Sequence, residues 1–523
     1  MVPGHDAYEK RVYLEEQFVI ADTNGDGVVD FAEFVAFYTA VLHDSRKSDV
    51  VFERRRKNKR AREERSRRAV AYTQPEQLIV AVKKGELALL SAAWLLERAG
   101  YDRKEVEKRG AKKVTWSKSE RAPTPLVARQ TLEAESPDAF FKAEAMEEQY
   151  AQYRKVCEEG GKAFEVSAVS ALPVVLASFV WESAEHADPK GDILSKICFN
   201  LARQMPTFAA WGFDDVGVFI DWSCMYQSVP SAGLTRNAQQ EGLYNAARKH
   251  LQIYFSHRMT TVYVLDDQES RKTSGWAFFE ECLCALFKES PPAKPYSVRN
   301  GALVPFWAKV VKLSDATLQD DITGANPQAG IAERRPPLSA PHFISKLKTV
   351  EPSMDEKTRD LLIHLYREAI EDGFNSLERL VYSRLSWTDD DVAELASALE
   401  EVPCPNVIEL DLSWNDMRQG TGLEAIGKAI GLGALHGLQK LNLINCTAIK
   451  TLPGTLEELL ELNTILLDGC VQMKELPEGI SRLASLRILS IINCHYMDNE
   501  ALKDLPSLAK VIRSKEDAAA AGI

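Results

Sequence analysis

The sequence predicts a multidomain protein: an N-terminal α-helical domain, a central α/β domain with a parallel sheet, and a C-terminal α/β solenoid. Three observations carry this prediction. A glycine-containing acidic loop lies between two amphipathic stretches near the N-terminus. Short apolar runs alternate with helical patterns between residues 166 and 316, which favours a parallel sheet. A leucine pattern recurs at a spacing of 24 residues near the C-terminus, which indicates a repeat architecture.

The composition is that of an ordinary globular protein, with 45% hydrophobic and 27% charged residues. Its length predicts about three or four domains. The N-terminus lacks an apolar signal segment, and the longest apolar run, residues 171–181, is too short to span a bilayer. Nine cysteines without a CxxC pair predict neither a disulfide framework nor a zinc site, so a cytoplasmic location is expected. The net charge of −12 disfavours general nucleic-acid binding.

The acidic loop at residues 22–33 carries the oxygen donors that a calcium ion requires. Ca²⁺ takes roughly six to eight oxygens, and a loop of this spacing supplies them from alternating positions, with a glycine at the sharp turn. Gly27 occupies that turn position. The predicted ligands are the side chains of Asp22, Asn24 and Asp26, the carbonyl of Val28, Asp30 through a water molecule, and both carboxylate oxygens of Glu33.

The loop and its flanking apolar stripes resemble the EF-hand family, and the resemblance covers roughly residues 7–42 within a first domain at residues 1–44. It implies Ca²⁺ as the cofactor. The alternative interpretation is an acidic turn rich in Asp and Asn. EF-hands usually work in pairs, and the sequence contains no second loop of this pattern. Pairing between two chains, as a homo-oligomer, therefore stays open.

Residues 45–72 form a basic connector in which residues 54–68 are rich in Arg and Lys. Glutamates at helical spacings within this run favour a solvated helix with internal ion pairs. The alternative is weak contact of residues 54–68 with anionic lipid or nucleic acid. Residues 73–165 then read as a helical region with a linker: a helical hairpin over 75–101, a polar linker over 104–137 and a charged helix over 139–159.

The central domain, residues 166–316, is predicted to contain alternating strands and helices. Asp188 and Pro189 are typical of the start of its first helix, as N-cap and first helical residue. The predicted strands are 172–179, 216–221, 260–265 and 309–313, and the predicted helices are 188–204, 237–255 and 275–288.

Three segments of this domain carry a resemblance to a known family. Residues 174–179, VVLASF, and residues 218–221, VFID, are similar to two of its strands. Residues 274–280, SGWAFFE, are similar to a helix start in which a Trp precedes a Glu by four positions. The family is that of the TIR (Toll/interleukin-1 receptor) domains, which have a flavodoxin-like α/β fold. Residues 178–191 and 219–227 also resemble uncharacterised proteins of single-celled algae and other protists.

Some TIR domains hydrolyse NAD⁺ at the bond between nicotinamide and ribose, and the resemblance implies that Glu280 is the catalytic carboxylate. Trp276 lies one helical turn earlier on the same face, where it would shape the pocket. The Arg and Gly-Glu-Asp of many TIR domains are replaced here by Val180, Trp181 and Glu182. The alternative is a non-catalytic interaction fold in which Trp276 belongs to the core and Glu280 is a paired acid.

Residues 317–378 are predicted to be a linker rich in Pro and Gly followed by a helix over 354–372, and residues 379–523 a set of repeats with a tail. The repeats match the pattern L-x-x-L-x-L-x-x-N/C and resemble the leucine-rich repeat family, including its plant type. That family uses its strand face to bind protein partners, although the repeats could instead pack on the α/β domain. The repeats begin at Val407, Leu438, Leu462 and Leu486, and the last pattern position holds Asn415, Cys446, Cys470 and Cys494.

These features predict a calcium-binding cytoplasmic signalling protein whose TIR-like and leucine-rich repeat domains serve protein–protein interaction. The alternative is a calcium-regulated NAD⁺ hydrolase that acts through Glu280 and Trp276. The sequence contains no P-loop, GxGxxG, HExxH or GxSxG motif.

Overall fold

The computed structural model describes residues 70–108, 111–119, 124–159, 171–265, 269–290, 296–299, 302–305, 309–313, 334–374 and 377–497, with a few further positions up to residue 517. All of them belong to one compact unit of the chain, Arg68–Ile523. The predicted calcium loop at residues 22–33 and the basic run at residues 54–68 lie outside the described residues.

The first described elements form the edge of the central sheet and a separate hairpin. Residues 104–137, predicted to be a linker, include most of this hairpin, in which β2 pairs with β3 from Tyr101↔Lys118 to Lys108↔Ala111. The linker prediction is wrong here because both strands are rich in charged residues and lack the apolar alternation that signals a strand. The elements are α1 (Glu76–Lys83), β1 (Leu90–Ser91), α2 (Ala92–Arg98), β2 (Tyr101–Lys108), β3 (Ala111–Lys118), α3 (Arg129–Glu135) and α4 (Ala143–Glu159).

The central domain contains a five-stranded sheet of order β1-β5-β4-β6-β9, parallel except for the pairing of β1 with β5. A second, two-stranded hairpin pairs β7 with β8. The elements are β4 (Val174–Ser178), α5 (Asp192–Ala210), β5 (Gly217–Phe219), α6 (Asp221–Cys224), α7 (Ala238–Lys249), α8 (Leu251–Ser256), β6 (Thr261–Leu265), α9 (Gly275–Phe287), β7 (Tyr296–Arg299), β8 (Ala302–Pro305) and β9 (Val310–Leu313).

The central strands are buried because helices cover the sheet. Every residue of β4 is buried, which explains its continuous apolar run. In β5, Gly217 is required by close packing: a Cβ there would lie 2.7 Å from Leu89 and 2.8 Å from Phe141. A larger residue at this position would push β5 away from the segment that leads into β1.

The helix predicted to start at Asp188 begins instead at Asp192, after Gly191 with a φ of 80°. Asp188 still serves the helix terminus. Its carboxylate accepts hydrogen bonds from the backbone N–H groups of Ile193 at 3.1 Å and Leu194 at 2.8 Å. The side chain thus satisfies two backbone donors of the first turn from outside the helix.

Residues 340–350, predicted to belong to the linker, form helix α10 (Ala340–Val350), and α11 (Glu356–Gly373) follows. Both helices pack on α9 through aromatic rings. Phe343 stacks on Tyr366 with ring centroids 4.0 Å apart and on Phe278 at 5.5 Å. At Gly373, a Cβ would overlap the Phe287 ring of α9, so the close approach of α11 to α9 requires glycine there. The Pro and Gly residues around this helix favoured a linker in the sequence. The packing of Phe343 against α9 stabilises the helix despite that local composition.

The C-terminal part forms a six-stranded parallel sheet whose strands follow chain order, β10 to β15. A residue with positive φ follows most strands, directly before the last position of each repeat pattern. These residues are Trp414, Asn445, Gly469 and Asn493, and Arg384 has the same position after β10, by the register of β10 with β11. The elements are β10 (Arg379–Val381), α12 (Asp389–Glu401), β11 (Glu409–Asp411), α13 (Thr421–Gly431), β12 (Lys440–Asn442), β13 (Thr464–Leu466), β14 (Ile488–Ser490) and β15 (Lys510–Ile512).

The α/β class with parallel sheets and several helices is therefore confirmed for the described residues. The finer assignments to EF-hand, TIR and leucine-rich repeat families stay predictions. Within this part of the chain, every helix is too short or too polar to cross a membrane.

The buried imidazole of His257 is expected to make the fold sensitive to acid. Its Nε2 bonds to the Gln74 carbonyl at 3.0 Å, and its Nδ1 accepts from the Met259 N–H at 3.1 Å, so the neutral ring is satisfied. Burial, together with the charges of the nearby Lys288 and Lys309, lowers the pKa of His257 to about 3, although the hydrogen bond with the Gln74 carbonyl acts in the opposite direction. In the unfolded chain His257 therefore becomes protonated near pH 6.5, whereas in the folded chain it becomes protonated only near pH 3.

The free energy of unfolding should fall as the pH drops below 6.5, by up to about 1.4 kcal/mol per pH unit from this group alone. Urea unfolding at pH 7 and pH 5 measures it. His257→Gln should be less stable at pH 7 but lose less stability on acidification than the parent. His364→Gln, at an exposed position, is the matched control and should keep the parental slope. Equal slopes for all three proteins would contradict the prediction.

Candidate active site

The ends of two central strands and helix α9 bring three polar side chains together. Ser178 is the last residue of β4, Asp221 directly follows β5 and its loop residue Ile220, and Glu280 lies in the second turn of α9. The carboxyl ends of parallel strands meet at one edge of a sheet, which is where ligands bind in open α/β sheets. Glu280, selected through the resemblance to TIR domains, therefore lies at the edge of the sheet where ligands bind in this class of fold, and its catalytic role stays a prediction.

The carboxyl group of Glu280 is enclosed, although the residue as a whole is only partly buried. Burial, together with the nearby charge of Asp221, raises its pKa to about 8. A hydrogen bond with the Ser178 side chain and the positive charge of Arg271 act in the opposite direction but do not cancel the effect of burial. Glu280 is therefore mainly protonated at neutral pH.

Asp221 is the second carboxyl group of the site. Its Oδ2 accepts a hydrogen bond from the Trp181 indole at 2.7 Å, and its Oδ1 accepts one from the Trp222 backbone N–H at 2.6 Å. Burial raises the pKa of Asp221 to about 6, and these two hydrogen bonds limit the rise. At pH 7, one carboxyl of the pair is mainly ionised and the other mainly protonated, an arrangement typical of catalytic acid pairs.

Arg271 is the cation of the site and was not selected from the sequence. It lies in a 3₁₀ turn before α9, Glu269–Thr273, and only 8% of its surface is exposed. Its guanidinium donates to the Ser178 carbonyl at 3.3 Å, the Ser178 hydroxyl at 3.0 Å and the Ala277 carbonyl at 3.3 Å. Ser178 therefore contacts both the cation and Glu280.

Aromatic rings form a wall beside Asp221. Trp181 meets Trp222 edge to face with centroids 5.2 Å apart, and the His186 ring lies 4.8 Å from that of Trp222. The indole N–H of Trp222 is buried without an acceptor in the described structure. Trp181, which departs from the TIR pattern, thus has a defined role here: it holds Asp221.

Trp276 lies one helical turn before Glu280 but has different surroundings. Its ring meets Phe279 edge to face at 6.1 Å, and the guanidinium of Arg248 on α7 lies 5.5 Å from its centroid. The sequence prediction placed Trp276 in the pocket beside Glu280. Its contacts instead join α9 to α7, and its part in shaping a pocket stays a prediction.

The described residues contain no group of three or more His, Cys, Asp or Glu side chains that could hold a metal ion. The predicted calcium ligands, Asp22 to Glu33, are not among the described residues. All nine cysteines are free, and all but Cys157 are buried.

No protein-family model matches this chain, and no curated protein matches it.

Proposed function

We propose that the central α/β domain hydrolyses the bond between nicotinamide and ribose in NAD⁺, with Glu280 as the catalytic carboxylate. The observation that carries the proposal is the enclosed carboxyl of Glu280 beside Asp221, Ser178 and Arg271 at the carboxyl ends of β4 and β5. A buried structural acid would normally be matched by a strong partner that lowers its pKa. Glu280 instead keeps a pKa near 8, which is typical of a functional carboxyl group.

In this reaction the C1′–N bond breaks, and its electron pair leaves with neutral nicotinamide. The leaving group needs no proton, so Glu280 acts as an anion that stabilises the positive charge developing on the ribose. The cationic nicotinamide ring of the bound substrate favours this ionised form, because an opposite charge lowers the pKa of a carboxyl group. A water molecule then adds to C1′ and releases a proton, which gives ADP-ribose.

The test is to incubate the full chain with NAD⁺, with and without Ca²⁺ and at several protein concentrations. Chromatography measures the nicotinamide that is released. The pH profile makes the test specific. Because free Glu280 must lose its proton, kcat/KM should rise with pH and level off above about pH 8. Background turnover under all conditions, or a rate that falls through this pH range, would contradict the proposal.

A second candidate is a calcium-responsive interaction protein, and an exposed aromatic residue in the repeats favours it. Trp414 is 46% exposed, and the Arg384 guanidinium lies 4.3 Å from its ring centroid. Both residues have positive φ, 61° and 58°, which is unusual for large side chains. Trp and Arg are enriched among the residues that carry most of the binding energy of protein interfaces. Light scattering with and without Ca²⁺ tests whether the partner is a second copy of the chain.

Calcium binding by residues 22–33 belongs to both candidates and rests on the sequence alone. Glu33→Gln keeps the size of the side chain but removes the bidentate anion, so it should weaken Ca²⁺ binding by well over tenfold, from a sensor-range Kd of about 10⁻⁷–10⁻⁵ M. Titration calorimetry of the full chain measures this. Glu53→Gln, the same change outside the loop, should leave the Kd unchanged, and Mg²⁺ should compete poorly. Absence of saturable Ca²⁺ heat up to millimolar concentrations would refute the assignment.

A further inference from the structure

A cavity of about 220 Å³ lies beside α9, next to the carboxyl ends of β6 and β9. Its lining is unusually basic. Its cationic side chains come from three segments: Arg271 and Lys272 precede α9, Lys312 lies on β9, and Arg335 lies in the segment before α10. The wall of the cavity therefore includes residues from outside the sheet. Among the described residues, the charged members of the lining are Arg271, Lys272, Lys312, Arg335 and one acid, Glu281.

The position of Arg335 is held by two contacts. Its Nε donates to Glu281 Oε1 at 3.2 Å, and its guanidinium lies 4.7 Å from the centroid of the Phe278 ring, which also lines the cavity. Glu281 therefore balances Arg335, and Lys272 is paired with Glu269 at 2.9 Å outside the lining; the described lining itself carries four cationic side chains and one acidic one. Like charges around one concave site favour an anion, because the low-dielectric walls concentrate the field.

Arg271 gives an independent indication of a ligand. It is more than nine-tenths buried, and its two terminal nitrogens donate to Ser178 and Ala277. Its Nε–H is buried without an acceptor among the described residues. A buried donor without a partner costs free energy, so an acceptor that the described residues do not supply is expected at a site that this residue lines.

We propose that this cavity binds a phosphate-bearing anion, with a diphosphate group as its chemical class. Guanidinium groups suit the paired oxygens of phosphates, and lysines add charge at the rim, where Lys272 has 74% of its side chain exposed. Two kinds of ligand contain a diphosphate group: a nucleotide such as ADP-ribose, and free inorganic diphosphate. The proposal does not depend on NAD⁺ cleavage, since binding alone defines it.

Titration calorimetry of the full chain tests the proposal, in a calcium-free buffer because diphosphate itself binds calcium. The titrants are inorganic diphosphate, ADP-ribose and adenosine. Saturable binding of diphosphate indicates a site for the free anion. Binding of ADP-ribose but not of diphosphate indicates a nucleotide site. Either result supports the proposal if the cavity variants weaken the binding. Adenosine, which lacks phosphate, should not bind.

Lys312→Gln should weaken binding at least fivefold, and Lys272→Gln combined with Lys312→Gln at least tenfold. Lys428→Gln is the matched control for Lys272→Gln: the two side chains are 69% and 74% exposed and are paired with one acid each, Glu400 and Glu269, but Lys428 lies in the repeats. It should leave the Kd unchanged. Thermal melts confirm that each variant is folded. No saturable binding of either phosphate compound, or binding that the cavity variants do not weaken, would overturn the proposal, whatever the result of the NAD⁺ assay.

Discussion

Replacing Glu280 by glutamine is expected to abolish nicotinamide release while making the protein more stable at neutral pH. The amide keeps the size of the side chain but cannot carry the negative charge that stabilises the ribose cation, so kcat/KM should fall by about 10³-fold or more. The gain in stability follows from burial. The folded state holds the carboxyl with a pKa of about 8 against 4.5 for the free group.

The sign of this effect is set by proton binding. Between pH 4.5 and 8, the folded chain keeps a proton on Glu280 that the unfolded chain releases, so the parent loses stability as the pH rises through this window. Glutamine does not titrate and escapes that loss, which is at most on the order of 3 kcal/mol at pH 7. Urea unfolding of parent and variant at pH 5 and pH 7.5 should therefore show a difference that grows with pH.

Glu289→Gln is the matched control for this experiment. Glu289 is a partly buried acid of the same domain, but its carboxylate is paired with the guanidinium of Arg258 at 2.6 Å. Its loss should leave turnover intact and lower the stability. A Glu280→Gln variant that is stable and still active would show that Glu280 is only a buried acid, and the non-catalytic alternative would then hold.

Replacing Cys470 by arginine is expected to unfold the C-terminal repeats. The Cys470 side chain is fully buried, and its thiol donates to the Leu443 carbonyl of the preceding repeat at 3.1 Å. Cys446 and Cys494 make the same contact with Leu412 and Leu467. An arginine in this ladder would bury an unpaired charge in a space too small for it, at a cost of about 4 kcal/mol or more.

Cys470→Asn should be tolerated far better. The matching position of an earlier repeat already holds Asn415, whose amide donates to the Tyr382 and Leu412 carbonyls at 2.8 and 2.9 Å. Its oxygen accepts from the Leu385 and Trp387 N–H groups. Thermal unfolding followed by circular dichroism compares the two variants with the parent. If both variants melt like the parent, the predicted repeat register is wrong.

Some of the central site could be predicted from its neighbours along the chain. Residues 174–178 form a strand because a continuous apolar run of this length suits a sheet covered on both faces. Asn237 caps α7 through a reciprocal capping box with Gln240, as the local pattern indicates. Glu280 lies in a helix that begins after Ser274, whose side chain accepts from the Ala277 N–H. These features depend on short-range chemistry, which a single sequence contains.

Arg271 could not be predicted in the same way. Its main partner, Ser178, is 93 residues away in the chain, and nothing near Arg271 marks it as a buried cation. Helix α10 was missed for a similar reason, because Phe343 gains its partners Phe278 and Tyr366 only when three helices pack together. The only sequence signal for Arg271 was its place between a strand and a helix, where ligand-binding loops occur.

The sequence by itself determined the alternation of strands and helices, the repeat period and the acidic loop at residues 22–33, because periodicity and ligand spacing are local, whereas Glu280 was selected through the resemblance to TIR domains. The tertiary structure alone decided the electrostatics. It brought Asp221 close to Glu280, buried both carboxyl groups so that their pKa values rise to about 6 and about 8, and joined Arg271 to Ser178. Burial and long-range charge arise only when distant segments pack, and they make this edge of the sheet a site.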